Sequence, residues 1–323
     1  MMALGNKAEY YARYAWVNAK KRLGLSVKSD KKFFCEVIVR GMMSGDINKN
    51  VVFVNEEMPD EGIGSQILSR LSVASTAKYL GYGFAYTPLY KLGHPEGEKS
   101  TWTKRIDETF GLGRDELPAD ACKLRRVNFT QFCNDKDLWR EDLMVSVRDF
   151  YAYTDHNPDV LVNYAKEKIR LDGKERSEHL DIAMHVRRGD VSKKQNKNRY
   201  IPNARIKRTI ETTTKLMSAL DIPFRISIYT NGSTEEMSDL LGDNVSIVNT
   251  LGAMDTLRGL ANSDMLVATN STFSYLSAIL NKGVVIFDRY THPQLSEWIH
   301  LRKDGSFDED RAKQLIEQKH LER

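Results

Sequence analysis

The chain of 323 residues is long for one hydrophobic core and sufficient for two domains. Its hydrophobic fraction of 41% and charged fraction of 28% are typical of a folded globular protein and exclude an intrinsically disordered chain. With 48 basic and 44 acidic residues the formal net charge is +4, a mild excess that suits a small anionic ligand as well as it suits nucleic acid. Nucleic-acid binding is disfavoured because the sequence contains no basic helix face with interleaved aromatic residues.

The cysteines and the apolar segments indicate the cellular environment. Cys35, Cys122 and Cys133 are odd in number and lack the spacing of metal ligands, which favours a reducing compartment over a disulfide framework. No stretch approaches the ~18 apolar residues of a membrane span, and residues 1–30 lack the apolar core of a signal peptide. We therefore expect a cytoplasmic protein without a transmembrane segment.

The chain begins with residues 1–45, which have a partly helical, amphipathic pattern and no assigned chemistry. A strand, a glycine loop, a helix and a second strand follow, in the order of a parallel α/β domain. The apolar run Val51–Val54 predicts the first strand, and the helical spacing of apolar residues from Ile67 to Leu80 predicts the helix. Gly81 is a suitable helix stop, and Phe84–Tyr86 predicts the second strand.

Between the first strand and the helix lies the loop Gly62-Ile63-Gly64-Ser65-Gln66. It lacks the third glycine of a dinucleotide-binding fingerprint and the lysine of a P-loop, so both of those motifs are excluded. Two interpretations remain open. The glycines either allow a tight turn with positive φ, or they let backbone N–H groups at the helix N-terminus approach a phosphate oxygen.

The remainder of the first domain, which we place at residues 1–172, is expected to be irregular and mostly helical. Residues 93–133 are polar and rich in turns, and residues 134–150 and 160–170 have helical patterns. The triplet Asp135-Lys136-Asp137 has a D-x-D pattern that can hold a metal ion beside a nucleotide. Acidic residues at a helix start are explained by the helix dipole alone, so no metal site is predicted.

A polar, linker-like stretch at residues 171–179 marks the boundary, and we place the second domain at residues 173–323. Strands and helices alternate strictly within it. The predicted strands are Asp181–Met184, Arg225–Thr230, Val245–Val248, Met265–Ala268 and Val284–Phe287, and the predicted helices cover residues 203–220, 234–241, 255–261 and 271–280. This alternation predicts a doubly wound α/β sheet, with a polar helix at residues 308–323 packed across one face.

The stretch His185-Val186-Arg187-Arg188-Gly189-Asp190 directly follows the first of these strands. Ligands of open α/β sheets bind at the carboxyl ends of the strands, where these two arginines are expected. A planar guanidinium with five donors fits the oxygens of a diphosphate bidentately. His185, taken alone, is equally explained as a hydrogen-bonded residue at a strand end.

A second candidate anion site is the segment Thr269-Asn270-Ser271-Thr272-Phe273-Ser274, which joins a strand to a helix. It offers hydroxyl groups and the N–H groups of a helix N-terminus to a phosphate, although helix capping explains it as well. Asp255 is likewise either an N-cap or a carboxylate that accepts from a guanine edge. The glycine loop, the arginine motif and this segment can all meet in one cleft, so their combination is more specific than any one of them.

In this order, the three motifs resemble those of the α1,2-, α1,6- and O-fucosyltransferase superfamily. The resemblance spans residues 51–288 and consists of a G-x-G-x-Q loop, an H-x-R-R-G-D strand end, and a segment from Ala261-Asn262-Ser263-Asp264 to Asn270-Ser271-Thr272-Phe273-Ser274. It implies a GT-B-type fold, in which two Rossmann-like domains face each other across a cleft and the second binds most of the GDP-fucose. The implied activity is inverting transfer of L-fucose from GDP-fucose to a hydroxyl of a glycan acceptor, without a metal or other cofactor.

The resemblance also implies roles for individual residues. Arg187 corresponds to the arginine that grips the β-phosphate. Gly62 corresponds to the loop glycine beside that phosphate, Ser271 and Thr272 to the donor-phosphate contacts, and His185 and Asp255 to the guanosine contacts. Gly64, Gln66, Arg188 and Phe273 are further implied substrate contacts. Where the α1,6 enzymes have an acidic residue beyond the arginine motif, this chain has Gln195, so the catalytic base is left open, with Asp190 as a candidate. A GT-B transferase for another nucleotide sugar and a non-catalytic carbohydrate-binding protein remain alternatives.

Overall fold

The structure is a computed structural model that describes residues 31–58, 61–89, 99–171 and 177–321. The amphipathic pattern at residues 1–30 and the predicted domain boundary at residue 172 lie outside these ranges. None of the described helices combines the length and the apolar content that are needed to cross a membrane.

Five parallel strands form the first sheet, in the order β3-β2-β1-β5-β4. The strands are β1 (Val52–Asn55), β2 (Gly83–Tyr86), β3 (Leu117–Pro118), β4 (Arg125–Asn128) and β5 (Leu143–Val147). The helices around it are α1 (Lys31–Ser44), α2 (Ile63–Tyr79), α3 (Lys99–Phe110), α4 (Phe129–Asn134), α5 (Tyr151–Thr154) and α6 (Pro158–Lys168), with a 3-10 turn at Asp137–Arg140. The predicted order of strand, loop, helix and strand is confirmed, and Gly81, with φ of +75°, follows the end of α2 as expected.

The helical prediction for residues 134–150 is wrong. These residues contain the 3-10 turn and β5, which pairs with β1 and lies inside the sheet. Leu143–Val147 is buried at every position, and an apolar run this short has no periodicity that distinguishes a buried strand from a helix. β4 also lies in the turn-rich stretch of residues 93–133, for which the sequence predicts an irregular, mostly helical structure and no strand.

Six parallel strands form the second sheet, in the order β11-β10-β9-β6-β7-β8. The strands are β6 (Leu180–Val186), β7 (Phe224–Thr230), β8 (Val245–Val248), β9 (Met265–Ala268), β10 (Val284–Phe287) and β11 (Ile299–His300). The helices are α7 (Asn203–Leu220), α8 (Ala253–Ala261), α9 (Thr272–Leu280) and α10 (Glu309–Leu321), with 3-10 turns at Lys197–Arg199 and Glu235–Leu240. The predicted doubly wound sheet is confirmed, and together the two sheets give the predicted GT-B-type architecture of two Rossmann-like domains.

The two domains pack against each other through one continuous hydrophobic core. It includes Ile67 and Leu71 of α2, Leu161 of α6 and Leu276 of α9. The close approach requires a glycine at the contact, because a Cβ on Gly64 would lie 2.8 Å from the backbone N and Cα of Phe273. The N-termini of α2 and α9, which belong to different domains, therefore lie side by side.

A buried carboxylate anchors the other end of α2. Glu116 accepts from Lys78 Nζ at 2.6 Å, from Lys168 Nζ at 2.9 Å and from Tyr164 OH at 3.1 Å. Burial acts to raise the pKa of Glu116, but the hydrogen bonds from Lys168 and Lys78 outweigh it and hold this pKa well below its usual range. Since Lys78 belongs to α2 and Lys168 to α6, the cluster ties these two helices together and helps to fix the orientation of α2.

Candidate functional site

A cleft of about 380 Å³ opens between the domains beyond the carboxyl end of β6. From the first domain it is lined by Glu61, Gly62, Ile63, Gly64 and Ser65, and from the second by His185, Arg187, Asp190, Arg199, Thr230, Asn231, Leu251, Ala253, Thr256, Thr272 and Phe273. The structure thus brings the glycine loop, the arginine motif and the start of α9 together, at the edge of a doubly wound sheet where ligands bind.

Arg187 is the first residue after β6, and Asp190 holds its guanidinium by one edge. Nε of Arg187 donates to Asp190 Oδ1 at 2.9 Å, and Nη2 donates to Oδ2 at 2.7 Å. Among the described residues none accepts from Nη1, and 27% of the Arg187 side chain is exposed. Both oxygens of Asp190, the candidate base, are engaged by this pair. The carboxylate therefore orients the guanidinium and leaves the opposite edge of Arg187 for a ligand.

Arg188 lies beneath the cleft and does not line it. Its side chain is fully buried, and Nη2 donates to Ile201 O and to Asn203 Oδ1, both at 2.8 Å. Nε lies 3.2 Å from Glu236 Oε1, and the ring of Tyr200 covers the guanidinium at 4.7 Å. In place of the expected donor contact, Nη1 and Nη2 of Arg188 donate to the protein itself and hold the strand-end loop in place.

His185 has a position that is compatible with both interpretations that the sequence leaves open. It is buried at the end of β6, where Nδ1 lies 2.6 Å from Ser274 Oγ, and it also lines the cleft, with its ring 5.3 Å from that of Phe273. Burial, together with the positive charge of Arg187, lowers the pKa of His185 to about 4. The imidazole is therefore neutral at pH 7, which suits a contact with an uncharged part of a ligand.

The glycine loop provides space and not an unusual backbone conformation. Gly62 is the N-cap of α2 with φ of −71° and ψ of 165°, so the interpretation as a tight turn with positive φ is wrong for it. A Cβ on Gly62 would meet no atom within 4 Å, whereas one on Gly64 would collide with α9. Gln66 does not line the cleft, because it is buried and its Nε2 donates to Glu61 O at 3.0 Å. Gln66 therefore braces the loop from within, in place of the expected donor contact.

Three helices present their N-termini to the cleft. The lining residues include Gly62 to Ser65 at the start of α2, Ala253 and Thr256 of α8, and Thr272 and Phe273 of α9. The N-caps of α2 and α8 are glycines without a side-chain cap, and Ser271 Oγ caps α9 by accepting from Phe273 N at 3.2 Å. First-turn N–H groups without an internal acceptor bind anions, and the helix dipoles add partial positive charge. With Arg187, these groups make the cleft suited to a polyanion such as a diphosphate.

Asp255 lies in the first turn of α8 but outside the cleft lining. Its Oδ1 accepts from Arg258 Nη1 at 2.9 Å and from Arg105 Nη2, in α3 of the first domain, at 3.4 Å. The N-cap of α8 is Gly252, so the alternative interpretation of Asp255 as the N-cap is wrong. The structure gives Asp255 an ion pair between the domains, and its contact with guanosine stays a prediction.

Two charged residues of the cleft were not identified from the sequence. Glu61 lines it with 42% of its side chain exposed, and its Oε1 accepts from Arg148 Nη2 at 3.1 Å. Arg199 lines it as well, and its Nε donates to Tyr290 OH at 2.9 Å. The position of Glu61 directly before the glycine loop is a usable sequence signal, whereas Arg199 lies in a lysine-rich segment that is typical of a solvated surface.

The carboxylates of the described residues form no cluster of metal-ligand type. No group of three or more His, Cys, Asp or Glu side chains in this part of the chain is placed to hold a metal ion. Asp135 of the D-x-D triplet instead accepts from the backbone N of Asp137 at 3.0 Å at the end of α4.

Comparisons with known proteins find similarity in structure only. No protein-family model matches the chain, and no curated protein matches it by sequence. POFUT1 in complex with GDP is 11% identical with a TM-score of 0.38, over 75% of this chain and 99% of that chain. The E. coli heptosyltransferase WaaC with ADP is 13% identical with a TM-score of 0.41, over 84% of this chain and 98% of that chain. At such values a likeness carries no functional conclusion, which must come from the residues of the cleft.

Proposed function

We propose that this chain is a glycosyltransferase that moves L-fucose from GDP-fucose to a hydroxyl of a glycan acceptor, with inversion and without a metal ion. The observation that carries the proposal is the convergence of Arg187 and three helix N-termini on one interdomain cleft. These groups suit a nucleoside diphosphate. The choice of guanine and fucose comes from the H-x-R-R-G-D and G-x-G-x-Q motifs and from their resemblance to those of GDP-fucose enzymes.

In the proposed reaction the acceptor oxygen attacks the anomeric carbon while the bond from that carbon to the β-phosphate oxygen breaks. The sugar becomes oxocarbenium-like, and negative charge grows on the departing GDP. The Nη1 edge of Arg187 and the first-turn N–H groups of α2 and α9 would stabilise this charge with donors that are already in position. Loss of one such preorganised donor typically costs about 10²–10³ in rate.

The acceptor hydroxyl must also lose its proton, and two carboxylates line the cleft. Asp190 is held at both oxygens by Arg187, which makes it a positioning residue for the guanidinium. Glu61 is more exposed than Asp190, 42% against 28%, and within the described residues its Oε2 has no bonding partner. We therefore assign Glu61 as the base that takes the proton.

A transferase for another nucleotide sugar is the second candidate. The groups that define the cleft recognise a diphosphate, and the neutral imidazole of His185 can bond to more than one nucleobase or sugar. This alternative shares the Arg187 mechanism with the first and differs from it only in the donor.

Calorimetric titration with GDP, UDP, ADP and GMP tests the proposal, together with assays of donor hydrolysis in EDTA. We expect GDP to bind most tightly, and GMP about tenfold or more weakly, because one charge-assisted hydrogen bond to the β-phosphate contributes about 1.5–3 kcal/mol. Tighter binding of UDP or ADP would mean that the donor is a UDP- or ADP-sugar and not GDP-fucose. GDP binding with neither hydrolysis nor transfer of fucose would indicate a non-catalytic protein, and failure to bind any of the diphosphates would refute the proposal.

A further inference from the structure

A second cavity, of about 390 Å³, lies beside the cleft and has walls from both domains. The first domain contributes residues that follow β1 and β5, among them Glu56, Asp149 and Tyr151, and the second domain contributes Thr291 and His292 from the segment after β10. These positions are at the carboxyl ends of parallel strands, where ligands of α/β sheets bind.

Two contacts link this cavity to the cleft. Arg148, in the wall of the cavity, donates to Glu61, in the wall of the cleft, at 3.1 Å. On the other side Arg199 of the cleft donates to Tyr290 OH at 2.9 Å, and the next residue along the chain, Thr291, lines the cavity. Hydrogen bonds therefore connect the walls of the two spaces, and Glu61 lies at their junction.

The side chains of the cavity carry a net negative charge, whereas in the cleft two carboxylates balance two guanidiniums and three helix N-termini add partial positive charge. The walls of the cavity carry the carboxylates of Glu56, Asp149 and Asp155 against one guanidinium, that of Arg148, which pairs with Glu61. Glu56 is half-buried, and no side chain in the described part of the protein bonds its carboxylate. A carboxylate placed in this way accepts hydrogen bonds from hydroxyl or ammonium groups and repels anions.

Aromatic rings give the cavity a firm, partly apolar wall. The imidazole of His292 lies between Tyr151 and Tyr275, with ring centroids 4.7 Å from each, and its Nδ1 is 3.1 Å from Asp155 Oδ1. Phe129 adds a further ring. Apolar ring faces beside a few polar acceptors are the usual lining of a small-molecule site, and a sugar presents both apolar C–H faces and hydroxyl groups to it.

We propose that this cavity is the acceptor subsite, and that it takes a sugar with free hydroxyl or amino groups and no negative charge. The inference rests on the proposed transfer reaction. An acceptor bound here projects a hydroxyl toward Glu61 at the junction, while the diphosphate is drawn to Arg187 in the cleft. The two substrates are therefore sorted by charge, since the cavity repels the anion that the cleft attracts.

The test compares Glu56→Gln with the matched control Glu57→Gln, which alters an exposed neighbour outside the cavity lining. Saturation-transfer NMR measures binding of lactose, the disaccharide of β1,4-linked glucosamine, and glucuronic acid, with and without GDP. We expect one of the first two sugars to bind and glucuronic acid to bind more weakly. We expect Glu56→Gln to weaken sugar binding about tenfold through loss of a charged acceptor. Sugar binding by Glu57→Gln, and the affinity of both variants for GDP, should equal those of the wild type.

A third variant, Thr130→Trp, fills the cavity from an exposed position in its wall and is expected to abolish sugar binding while GDP still binds. Equal effects of the two glutamine variants, or sugar binding that persists in Thr130→Trp, would overturn the inference. GDP binding without binding of any tested sugar would overturn it too and leave the proposed donor intact. Sugar binding that depends on Glu56 in a protein that binds no GDP would support the cavity as a sugar site and refute the transferase.

Discussion

The substitution Arg187→Lys separates the charge of this residue from its geometry. In the structure Asp190 takes the Nε and Nη2 edge of the guanidinium, at 2.9 and 2.7 Å, and Nη1 is left for the ligand. A lysine has a single ammonium group, which cannot hold Asp190 on one side and a phosphate on the other in a fixed geometry. The variant therefore keeps the positive charge and loses the Nη1 edge that the guanidinium offers to a ligand.

The magnitude follows from the hydrogen bonds that are lost. One charge-assisted bond to the diphosphate contributes about 1.5–3 kcal/mol, so GDP should bind about 10- to 150-fold more weakly. Turnover of GDP-fucose should fall by at least about 10², because the same donor is stronger in the transition state. Folding should change little, since both partners of the Arg187–Asp190 pair are more than a quarter exposed and such pairs contribute about 0–1 kcal/mol.

Calorimetry with GDP and steady-state hydrolysis of GDP-fucose measure the two effects. Arg208→Lys is the control, because Arg208 is 60% exposed on α7 and pairs with Glu211 away from the cleft. Asp190→Asn should reduce GDP affinity less than Arg187→Lys, since it frees the guanidinium without removing it. An Arg187→Lys enzyme that binds GDP within a factor of about two of the wild type, with normal turnover, would refute the role of Arg187.

Three further changes test other parts of the structure. Glu61→Gln should leave GDP affinity unchanged and lower transfer about 10²-fold or more in steady-state kinetics, and normal transfer would exclude Glu61 as the base. Glu116→Gln removes the buried carboxylate that accepts from Lys78 and Lys168, so the free energy of unfolding, measured in urea, should fall by about 3 kcal/mol. The control Glu108→Gln, at an exposed ion pair, should lower it by only about 0.5 kcal/mol. Because the folded pKa of His185 is about 4, the unfolded chain takes up a proton as the pH falls below about 6.5 while the folded site stays neutral. The free energy of unfolding should therefore decrease from pH 6.5 to 4 by up to about 3 kcal/mol, and an equally steep decrease in His185→Gln would contradict this origin.

The second domain was the more predictable half, because each strand there is a short apolar run between clear breaks. Val245–Val248, Met265–Ala268 and Val284–Phe287 are observed with the predicted bounds. In the first domain β5 has the same apolar character, but it follows a 3-10 turn and a charged segment without a glycine or proline to mark its start. Local patterns do not reveal that such a run pairs with β1, since that pairing joins residues far apart in the sequence.

The site was predictable at the level of motifs and not of side-chain direction. Arg187 and Arg188 are adjacent and chemically identical, yet one enters the cleft and the other is fully buried. Successive residues at a strand end point to opposite sides, and which side faces a ligand depends on the neighbouring elements. The surroundings of Asp255 likewise depend on a neighbouring element that local sequence does not reveal, because Nη2 of Arg105 in the other domain lies 3.4 Å from its Oδ1.

The glycine loop shows how a packing contact can generate the electrostatics of the cleft. Gly64 lets α2 approach the backbone of Phe273, and this contact brings two helix N-termini from different domains next to each other. The field of a helix dipole falls off within about one turn, so the two N-termini act on one anion only if they are this close. Gly62 lies two residues before Gly64, and a Cβ on it would meet no atom within 4 Å. This position therefore leaves room for the proposed ligand. The two glycines therefore serve different physical needs: Gly64 lets the domains approach each other, and Gly62 leaves space in the cleft for the proposed diphosphate.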